Sequence, residues 1–467
     1  MKPFHLIIDG KAVAGATTMP VINPATEAVI TQCPRADLAQ LNAAVAAAKA
    51  AFPAWSQTDI AMRRQKLLLI ADDIDANAAE IAALLTAEQG KPLAHAQGEV
   101  AGAVYMMRGL ASLELPTKVL LEDAGGKFIE HRTPLGVVAA ITPWNFPVAL
   151  ITTKAVPALL AGNTIVAKPA PTTPLCTLRV AEIYNKHLPA GVFNIIVDKN
   201  DLGSELTGHP DVAKVSFTGS SATGKKVMGN AAALLKRVTL ELGGNDAAIV
   251  LDDVDPKTAA KQLFDGAMLN SGQVCLAIKR AYVPLSHYDA ICSELALLAD
   301  KAVVGDGAKP ETEFGPIQNS TQYRRVKELI EDAKRDGKVI AGGTDVPGPG
   351  YFIRPTIVRD IADSARLVRE EQFGPVLPVL SYTNLDDAIR RANDSEFGLG
   401  GTVWSSNPKR ALEVAMKINA GIVWVNAHMN ITPMLSTGGA KQSGIGTELG
   451  DEGLQEFTQR HLVYAAN

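Results

Sequence analysis

The stretch GVVAAITPWNFP, residues 136–147, decides the fold class, because an apolar run leads directly into a proline-bounded turn. Three further runs of the same kind follow: NTIVAK (163–168), FNIIV (193–197) and KVSFTG (214–219). The segments between them, such as residues 175–187, are long enough for crossover helices. Nearly continuous apolar strands joined by helices are typical of a parallel sheet covered on both faces.

A second series of β-rich runs follows in the other half of the chain: AYVPL (281–285), KVIAGG (338–343), GTVWS (401–405) and GIVWVNA (421–427). The chain has 467 residues, whereas a single hydrophobic core stops growing at roughly 250–300 residues. We therefore predict two α/β domains, with their boundary near ELGGND, residues 241–246.

The first third of the chain is predicted to be mainly helical. Asp37 is a suitable N-cap, and apolar residues follow it at helical spacing: Leu38, Leu41, Val45, Ala48 and Phe52. We expect this helix to end at Pro53 and a second helical stretch to occupy residues 61–93.

A predicted β-hairpin interrupts this plan. The stretch TKVLLEDAGGKFIEHRTPLG, residues 117–136, has its turn at Gly125-Gly126. Isolated hairpins are marginally stable in water, so something must cover this one. A partner subunit that packs against the neighbouring end of the chain would do so, and so would the hairpin's own domain.

Composition excludes several classes of function. The net charge is −4, so we expect neither nucleic acid nor an anionic membrane surface as a partner. No stretch approaches the roughly 20 apolar residues of a membrane helix. The four cysteines form no CxxC pair or Cys/His cluster, so no metal site is expected. Sparse cysteine and the short apolar run at the start indicate a reducing, cytoplasmic location.

One cysteine stands out. In NSGQVCLAIKR, residues 270–280, Cys275 is either a small apolar residue in a core or the nucleophile of an enzyme. Free cysteine is among the most buried residue types, so the stretch alone favours the core.

Three other stretches could carry chemistry. Gly219, Ser220 and Gly224 lie between a strand and a helix, where backbone N–H groups can approach a phosphate; an ordinary turn would need similar residues. Asn145, held between two prolines, could donate to an oxyanion or simply complete a turn. Glu241, in an apolar run, could be a general base or half of a structural salt bridge.

The motifs taken in order resemble those of the NAD(P)-dependent aldehyde dehydrogenase superfamily. They are INPATE, ITPWNFP, KPAPTTP, FTGSSATG, LELGG, GQVC, EEQFGPVLP and GGAKQSGIGTELG, and they cover essentially the whole chain. The resemblance implies oxidation of an aldehyde to a carboxylic acid through a cysteine thiohemiacetal and thioester, with hydride transfer to NAD(P).

The resemblance also implies a role for each site residue. Cys275 would be the nucleophile, Asn145 and the Cys275 backbone N–H would hold the oxyanion, and Glu241 would activate water. Lys154 would help to organise a proton path. The implied cofactor-binding residues are Trp144, Lys168, Gly219, Ser220, Gly224, Leu242, Gly243, Glu371 and Phe373.

For the architecture, the resemblance implies two Rossmann-like parallel-sheet domains and a small β oligomerisation element. We expect the cofactor-binding domain to comprise residues 1–116 and 135–243, and the catalytic domain residues 244–442. Residues 117–134 and 443–467 would form the oligomerisation element of a homodimer or homotetramer.

The sequence departs from the family pattern near the adenosine. Pro171 stands where the family usually has a glutamate that binds the ribose, and its presence leaves NADP possible. Asp198 stands where glycine is usual, and its negative charge would oppose the extra phosphate of NADP. Lys199, beside Asp198, could offset that charge. We therefore expect NAD, with NADP not excluded. Asn245 replaces a common lysine.

Departures also occur near the aldehyde entrance. Ser436, Thr437 and Thr153 suggest a wider or more polar tunnel, suited to a larger or functionalised aldehyde. His428 and Met429 are expected near the mouth of the site, as solvated loop residues. Cys176 and Cys292 are expected to pack in cores.

Two alternative functions stay open at this stage. A CoA-acylating dehydrogenase would pass the acyl group to a thiol rather than to water, and Glu241 argues against it. A non-catalytic binding protein of the same fold is opposed by the presence of Cys275, Asn145 and Glu241.

Overall fold

The computed structural model describes residues 2–467. Its strands are β1 (Leu6–Ile8), β2 (Lys11–Val13), β3 (Thr17–Ile22), β4 (Val29–Arg35), β5 (Lys118–Asp123), β6 (Gly126–Pro134), β7 (Val137–Ile141), β8 (Thr164–Lys168), β9 (Phe193–Ile195), β10 (Val212–Thr218), β11 (Arg237–Glu241), β12 (Asp246–Val250), β13 (Ile278–Pro284), β14 (Lys338–Ala341), β15 (Thr356–Arg359), β16 (Val376–Tyr382), β17 (Phe397–Gly398), β18 (Gly400–Trp404), β19 (Ile422–Val425), β20 (Ala440–Lys441), β21 (Gly444–Ile445) and β22 (Thr458–Ala466).

The helices are α1 (Leu38–Ser56), α2 (Ile60–Ala76), α3 (Ala78–Gln89), α4 (Leu93–Ala111), α5 (Pro147–Leu160), α6 (Leu175–His187), α7 (Gly203–Gly208), α8 (Ser221–Ala232), α9 (Pro256–Met268), α10 (Tyr288–Lys301), α11 (Ser320–Asp336), α12 (Arg366–Arg369), α13 (Leu385–Asn393), α14 (Pro408–Ala415) and α15 (Gly450–Gln455). A short 3-10 helix covers Leu269–Gly272. Within residues 2–467, no helix combines the length and apolar character needed to cross a membrane.

The first large sheet has the strand order β2-β1-β9-β8-β7-β10-β11-β21. Strands β9, β8, β7, β10 and β11 are parallel, and the strands outside them pair antiparallel. The chain winds outward from β7 to β9 and then restarts at β10 on the other side of β7, so the winding reverses between β7 and β10. Ligands bind outside the carboxyl ends of strands at such a switch point.

The second large sheet has the order β14-β15-β16-β13-β12-β18-β19. All neighbours are parallel except β14, which pairs antiparallel with β15. Separate apolar cores cover its two faces, one containing Leu329 and Ile389, the other Leu263 and Ile291. The predicted α/β class with two parallel-sheet domains is confirmed.

The two sheets meet edge to edge. Only residues 242–245 separate the end of β11, in the first sheet, from the start of β12, in the second sheet. The carboxyl ends of the parallel strands in the first sheet therefore lie next to the amino ends of the strands in the second sheet. Asp246 of β12 lies in register with Ile278 of β13. Cys275, three residues before Ile278, therefore lies at this junction.

The helices near the N-terminus differ in detail from the prediction. Asp37 caps α1 as expected, by accepting from Gln40 N, but α1 continues through Pro53 to Ser56. Proline forfeits one backbone hydrogen bond there, and the last turn still packs Trp55, 2% exposed, into the core. The expected helical stretch 61–93 is divided at Asn77, which separates α2 from α3.

The predicted hairpin is present as β5 and β6, and it pairs with the end of the same chain. β22 runs antiparallel to β6 over the whole of residues 126–134. Gly126 has φ 149°, and a Cβ there would lie 2.3 Å from the Ala465 carbonyl oxygen, so the turn requires glycine. β5 is exposed along its full length.

Residues 443–457 lie apart from this three-stranded sheet, in contrast to the predicted oligomerisation element of residues 117–134 and 443–467. β21 pairs with β11, and Leu449, Leu454 and Phe457 are buried in the core of the first sheet. These apolar side chains anchor the segment to the first domain.

Candidate active site

Most of the predicted site residues lie at the carboxyl ends of four parallel strands. Asn145 follows β7, Lys168 ends β8, Gly219 follows β10 and Glu241 ends β11. Because these strands are neighbours in one sheet, their ends lie along one edge. The segments after β7 and β10 flank the switch point.

The loop before Cys275 has an unusual backbone. Asn270, Ser271 and Gly272 have φ values of 51°, 54° and 70°, in the left-handed region, which is unfavourable for residues with side chains. A Cβ on Gly272 would lie 2.2 Å from the Gly374 carbonyl oxygen. The Ser271 hydroxyl donates to the Gly315 carbonyl at 2.7 Å. Strain of this kind persists only where surrounding contacts fix it.

Gln273 fixes this loop from inside the protein. Its side chain is buried, with Nε2 donating to the Asn270 carbonyl at 2.9 Å and Oε1 accepting from Gln318 N at 2.8 Å. Gln318 in turn donates from Nε2 to the carbonyl oxygens of Glu88 and Thr172, both in the first half of the chain. The loop is therefore held by both domains.

Asn145 contacts the same loop. Its Nδ2 donates to the Gln273 carbonyl at 3.0 Å, two residues before Cys275. Its own carbonyl accepts from Asn270 Nδ2 at 3.2 Å and from Lys91 Nζ at 2.9 Å. The amide is buried, and its Oδ1 has no hydrogen-bond partner within residues 2–467.

A buried ion pair between Lys91 and Glu99 holds the Asn145 peptide in place, and the sequence did not predict this pair. Lys91 Nζ lies 2.5 Å from Glu99 Oε2, and both side chains are 1% exposed. Glu99 Oε1 also accepts from the backbone N–H groups of Val148 and Ala149, at the start of α5. The pair therefore fixes both the Asn145 peptide and the helix that follows it.

Cys275 and Glu241 line one cavity of about 50 Å³. The cavity is lined by Glu241, Cys275, Leu276, Leu399, Ile422, Ile431, Thr437 and Gly438. Cys275 is the only one of the four free cysteines that is partly exposed; as predicted, Cys176 and Cys292 are buried.

Both reactive groups of this cavity hold protons strongly. Burial raises the pKa of the Cys275 thiol to about 12, with nearby carboxylates adding to the effect and Lys279 opposing it. Burial, followed by the charge of Glu448, raises the pKa of Glu241 well above its usual value, while Lys154 lowers it. Glu241 Oε1 has no hydrogen-bond partner in the described chain. An unpartnered carboxyl beside a thiol can exchange protons with water or substrate.

Lys154, on α5, is close enough to Glu241 to lower its pKa. Its buried Nζ donates to Glu448 Oε1 at 2.6 Å and to Ser216 Oγ at 3.3 Å. A buried lysine and two carboxylates thus share one part of the site.

The predicted phosphate-binding residues surround the start of α8. Ser220 is the N-cap, with its Oγ accepting from Thr223 N. A Cβ on Gly224 would lie 2.5 Å from Leu242 Cδ2, so the helix packs directly on that leucine. Gly219 N donates to the Glu241 carbonyl at 3.0 Å, which ties the loop to the end of β11.

Glu371 and Phe373 approach the same region from the second domain. Glu371 Oε1 accepts from Gly244 N at 2.9 Å, and a Cβ on Gly243 would collide with this carboxylate. Phe373 meets Trp144 edge to face, with ring centroids 5.3 Å apart. The two halves of the predicted cofactor set therefore touch.

Lys168 has a partner that the sequence did not predict. Its Nζ donates to Asp198 Oδ1 at 2.6 Å, and both side chains are buried. Asp198 Oδ2 accepts from Leu202 N at 2.9 Å. Asp198 therefore neutralises Lys168 and holds the chain before α7, rather than standing as a free charge beside the adenosine.

The predicted tunnel residues are only partly brought together. Thr437 lines the cavity, but Ser436 Oγ accepts from Glu452 N, and the Thr153 hydroxyl donates to the Leu150 carbonyl within its own helix. The remaining lining is mostly aliphatic, so of these three residues Thr437 alone adds a polar group to this cavity. The wider or more polar tunnel stays a prediction.

His428 is more enclosed than we expected. Its Nε2 lies 2.8 Å from the Leu276 carbonyl oxygen, and its ring packs edge-on to Trp424. Burial lowers its pKa to about 4. The side chain is therefore a neutral support for the residue after Cys275.

Asn245 is also structural. Its Nδ2 donates to the Val368 carbonyl at 2.9 Å, and its carbonyl accepts from Arg280 Nε at 3.0 Å. These bonds hold the connection between the two sheets.

Comparison with known proteins identifies the constellation. The model of the aldehyde dehydrogenase family matches residues 12–463. The chain belongs to this family. The predicted family and enzyme class, an oxidoreductase that oxidises aldehydes, are confirmed.

Individual relatives agree along the whole length. The mitochondrial aldehyde dehydrogenase of Leishmania tarentolae is 40% identical, with 99% of this chain and 95% of the relative covered. The phenylacetaldehyde dehydrogenase of Pseudomonas fluorescens is 37% identical, with 99% and 96% covered. The NAD+ complex of an aldehyde dehydrogenase from Bacillus cereus superposes with a TM-score of 0.97 at 36% identity, with 100% of this chain and 97% of that chain covered.

Proposed function

We propose that this enzyme oxidises apolar aldehydes to carboxylic acids with NAD, using Cys275 as nucleophile, Asn145 as oxyanion donor and Glu241 as base. The observation that carries the proposal is the shared cavity: Cys275 and Glu241 both line it, and the Asn145 amide bonds to the peptide two residues before the cysteine.

In the first step the Cys275 sulfur forms a bond to the carbonyl carbon, and the carbonyl π electrons move to oxygen. The thiol first loses its proton to solvent water, and the thiolate is the attacking form; a pKa of about 12 keeps the thiolate fraction small near neutral pH. The new oxyanion is stabilised by the Asn145 side chain and the Cys275 backbone N–H. A preorganised donor in a dry site is worth far more than one in water.

When bound, the nicotinamide supplies the two-electron acceptor that aldehyde oxidation needs. The acyl group remains on Cys275 as a thioester. Glu241 then takes a proton from water as the water oxygen attacks the thioester carbon, and the carbon–sulfur bond breaks to release the acid. Its raised pKa makes Glu241 a stronger base than an exposed carboxylate once it is ionised.

The residues at the switch point fit a dinucleotide. The hydroxyls of Thr142 and Thr218, at the ends of β7 and β10, are buried without hydrogen-bond partners in the described chain. The start of α8 offers backbone N–H groups and a positive helix end to the pyrophosphate. Trp144, Phe373 and Glu371 border the other end.

We propose NAD rather than NADP. Lys168, the cation that the family resemblance assigns to the cofactor site, is already neutralised by buried Asp198. A 2′-phosphate would therefore have no free partner in this lysine.

The aliphatic lining supports apolar aldehydes. Leu276, Leu399, Ile422 and Ile431 line the cavity together with Cys275, and none of the lining residues carries an aromatic ring that could bind a cationic substrate. The similarity to a phenylacetaldehyde dehydrogenase agrees with this class. Water, rather than CoA, is proposed as the acyl acceptor, because Glu241 is placed beside the thiol.

We also propose that the enzyme is a homodimer or homotetramer, assembled through β5, β6 and β22. Exposed apolar side chains cover this small sheet, including Val119 (54%), Leu121 (55%) and Tyr464 (53%). Such contiguous exposed surface marks an interaction site. Four free cysteines, three of them buried, suit a reducing compartment, and we propose the cytoplasm.

The decisive experiment measures absorbance of the reduced cofactor with NAD and NADP separately. The substrates are aliphatic, aromatic, carboxylated and quaternary-ammonium aldehydes, and Cys275→Ala is the control. We expect turnover with NAD and apolar aldehydes, and cofactor binding without turnover in Cys275→Ala. Near-normal turnover of that variant would refute the mechanism, and acyl-CoA without free acid in the presence of CoA would refute water as acceptor.

A further inference from the structure

A buried lysine, Lys279, contacts the backbone of the proposed nucleophile. Lys279, the second residue of β13, has a side chain only 2% exposed. Its Nζ donates to the Cys275 carbonyl at 2.5 Å and to the Val274 carbonyl at 2.9 Å. A lysine is seldom buried without compensating partners, and here those partners are the peptides of the nucleophile loop.

The same ammonium group reaches the predicted cofactor side of the site. It lies 3.6 Å from Glu371 Oε1, the oxygen that also accepts from Gly244 N. The neighbouring Gln372 donates from Nε2 to the Lys279 carbonyl at 3.1 Å. Lys279 therefore joins the nucleophile loop, the connection between the sheets and the Glu371 segment.

Lys279 supplies a positive charge that opposes the effect of the carboxyl groups around the Cys275 sulfur. The charged or titratable groups that act on the thiol or lie next to it are Glu241 of β11, Asp246 of β12, Lys279 of β13, Glu371 after α12 and His428 after β19. Lys154 of α5 and Glu448 before α15 form an ion pair that acts on Glu241. When ionised, the carboxyl groups of Glu371, Glu241 and Asp246 raise the pKa of the thiol, and Lys279 lowers it. Burial raises the pKa of each of these carboxyl groups as well, that of Asp246 to about 7. The histidine is neutral near pH 7, because burial lowers its pKa to about 4.

We infer that Lys279 is a positioning residue for the nucleophile: it fixes the carbonyl groups of Val274 and Cys275 and places a positive charge where it favours the thiolate. The inference rests on the proposed role of Cys275. It assigns no contact between Lys279 and the substrate. Its effect passes through the Cys275 peptide and through the neutralisation of Glu371.

The test follows alkylation of Cys275 by iodoacetamide, with no cofactor or aldehyde added. Mass spectrometry of the Cys275 peptide gives the rate between pH 6 and 10, while buried Cys33, Cys176 and Cys292 serve as internal references. Lys279→Met keeps the length of the side chain and removes the charge; Lys279→Arg keeps the charge.

Loss of the charge raises the thiol pKa, so the thiolate fraction at a fixed pH falls. A shift of one unit lowers that fraction about tenfold, and the greater nucleophilicity of a more basic thiolate offsets part of this. We therefore expect alkylation of Lys279→Met at pH 8 to be about threefold to tenfold slower, with Lys279→Arg close to the unmodified enzyme. An unchanged rate in Lys279→Met, or an equal loss in Lys279→Arg, overturns the inference.

A second variant keeps the test decisive if Lys279→Met does not fold. Glu371→Gln removes a carboxylate that opposes the thiolate, so its alkylation should be faster at pH 8; an unchanged or slower rate overturns the inference. Because no readout here needs turnover, failure of Cys275 as the catalytic nucleophile would appear separately, as turnover by Cys275→Ala.

Discussion

Replacing Glu99 with glutamine should loosen the start of α5 and slow attack on the aldehyde. The glutamine oxygen can still accept from Val148 and Ala149, but its NH2 group then faces Lys91 Nζ, which loses its 2.5 Å partner. Removing one member of a buried pair costs about 3–5 kcal/mol. The ammonium then keeps one hydrogen-bond acceptor, the backbone carbonyl of Asn145, the residue whose side-chain amide is the proposed oxyanion donor.

Hydrogen exchange of peptides from residues 147–160 measures this loss directly. At about 1.4 kcal/mol per tenfold change, a loss of 3 kcal/mol lowers protection about 100-fold. The double variant Lys91→Met/Glu99→Gln removes both charges and should be less destabilised than Glu99→Gln alone. Asp72→Asn is the matched control, because its pair with Arg108 is exposed and worth no more than about 1 kcal/mol.

The loss in Glu99→Gln should also shrink as pH rises. Burial lowers the pKa of Lys91, and Glu99 opposes that shift. Without Glu99, the folded protein releases the Lys91 proton at a lower pH than the unfolded chain does, so stability increases with pH up to the usual lysine pKa of about 10.4. The reasoning is refuted if Glu99→Gln exchanges like the unmodified enzyme, or if the double variant is no better protected than the single one.

Three further predictions concern the site and the assembly. Glu241→Gln should keep a pre-steady-state burst of reduced cofactor while steady turnover falls at least 100-fold, because only thioester hydrolysis needs the base; a lost burst in stopped flow contradicts this. Asn145→Ala should slow the burst about 10²–10³-fold without weakening cofactor binding measured by calorimetry, and an unchanged burst would exclude it as oxyanion donor. Leu121→Asp, in exposed β5, should reduce the oligomer in light scattering, whereas Lys118→Gln on the same strand should not.

Most of the fold was readable because parallel strands are apolar throughout. Residues 137–141 and 164–168 are buried along their whole length, and α6 covers the expected crossover at residues 175–187. β16 was missed because Pro378 lies within it, and proline in a strand argues against a central position. Its place beside Val358 is set by the sheet, not by local sequence.

The site shows where single-sequence reasoning stops. Cys275, Asn145 and Glu241 each follow a recognisable turn or strand, so their motifs could be found. Nothing in the sequence around Lys279 indicates its role, because a lysine in an apolar strand is normally expected at the surface. The pairing of Lys168 with Asp198 depends on contacts between β8 and a loop 30 residues away, which spacing alone does not show.

The tie from Gln273 through Gln318 to Glu88 and Thr172 has a consequence for synthesis on the ribosome. A nascent chain that ends soon after Cys275 lacks Gln318, which restrains the left-handed turn. The carbonyl groups of Glu88 and Thr172 in the first domain then have no Gln318 side chain to bind. The thiol therefore acquires its working setting only once residue 318 has emerged and docked. A chain that ends before residue 318 therefore lacks the hydrogen bond that holds the Gln273 side chain, and with it the tie between the loop before Cys275 and the first domain.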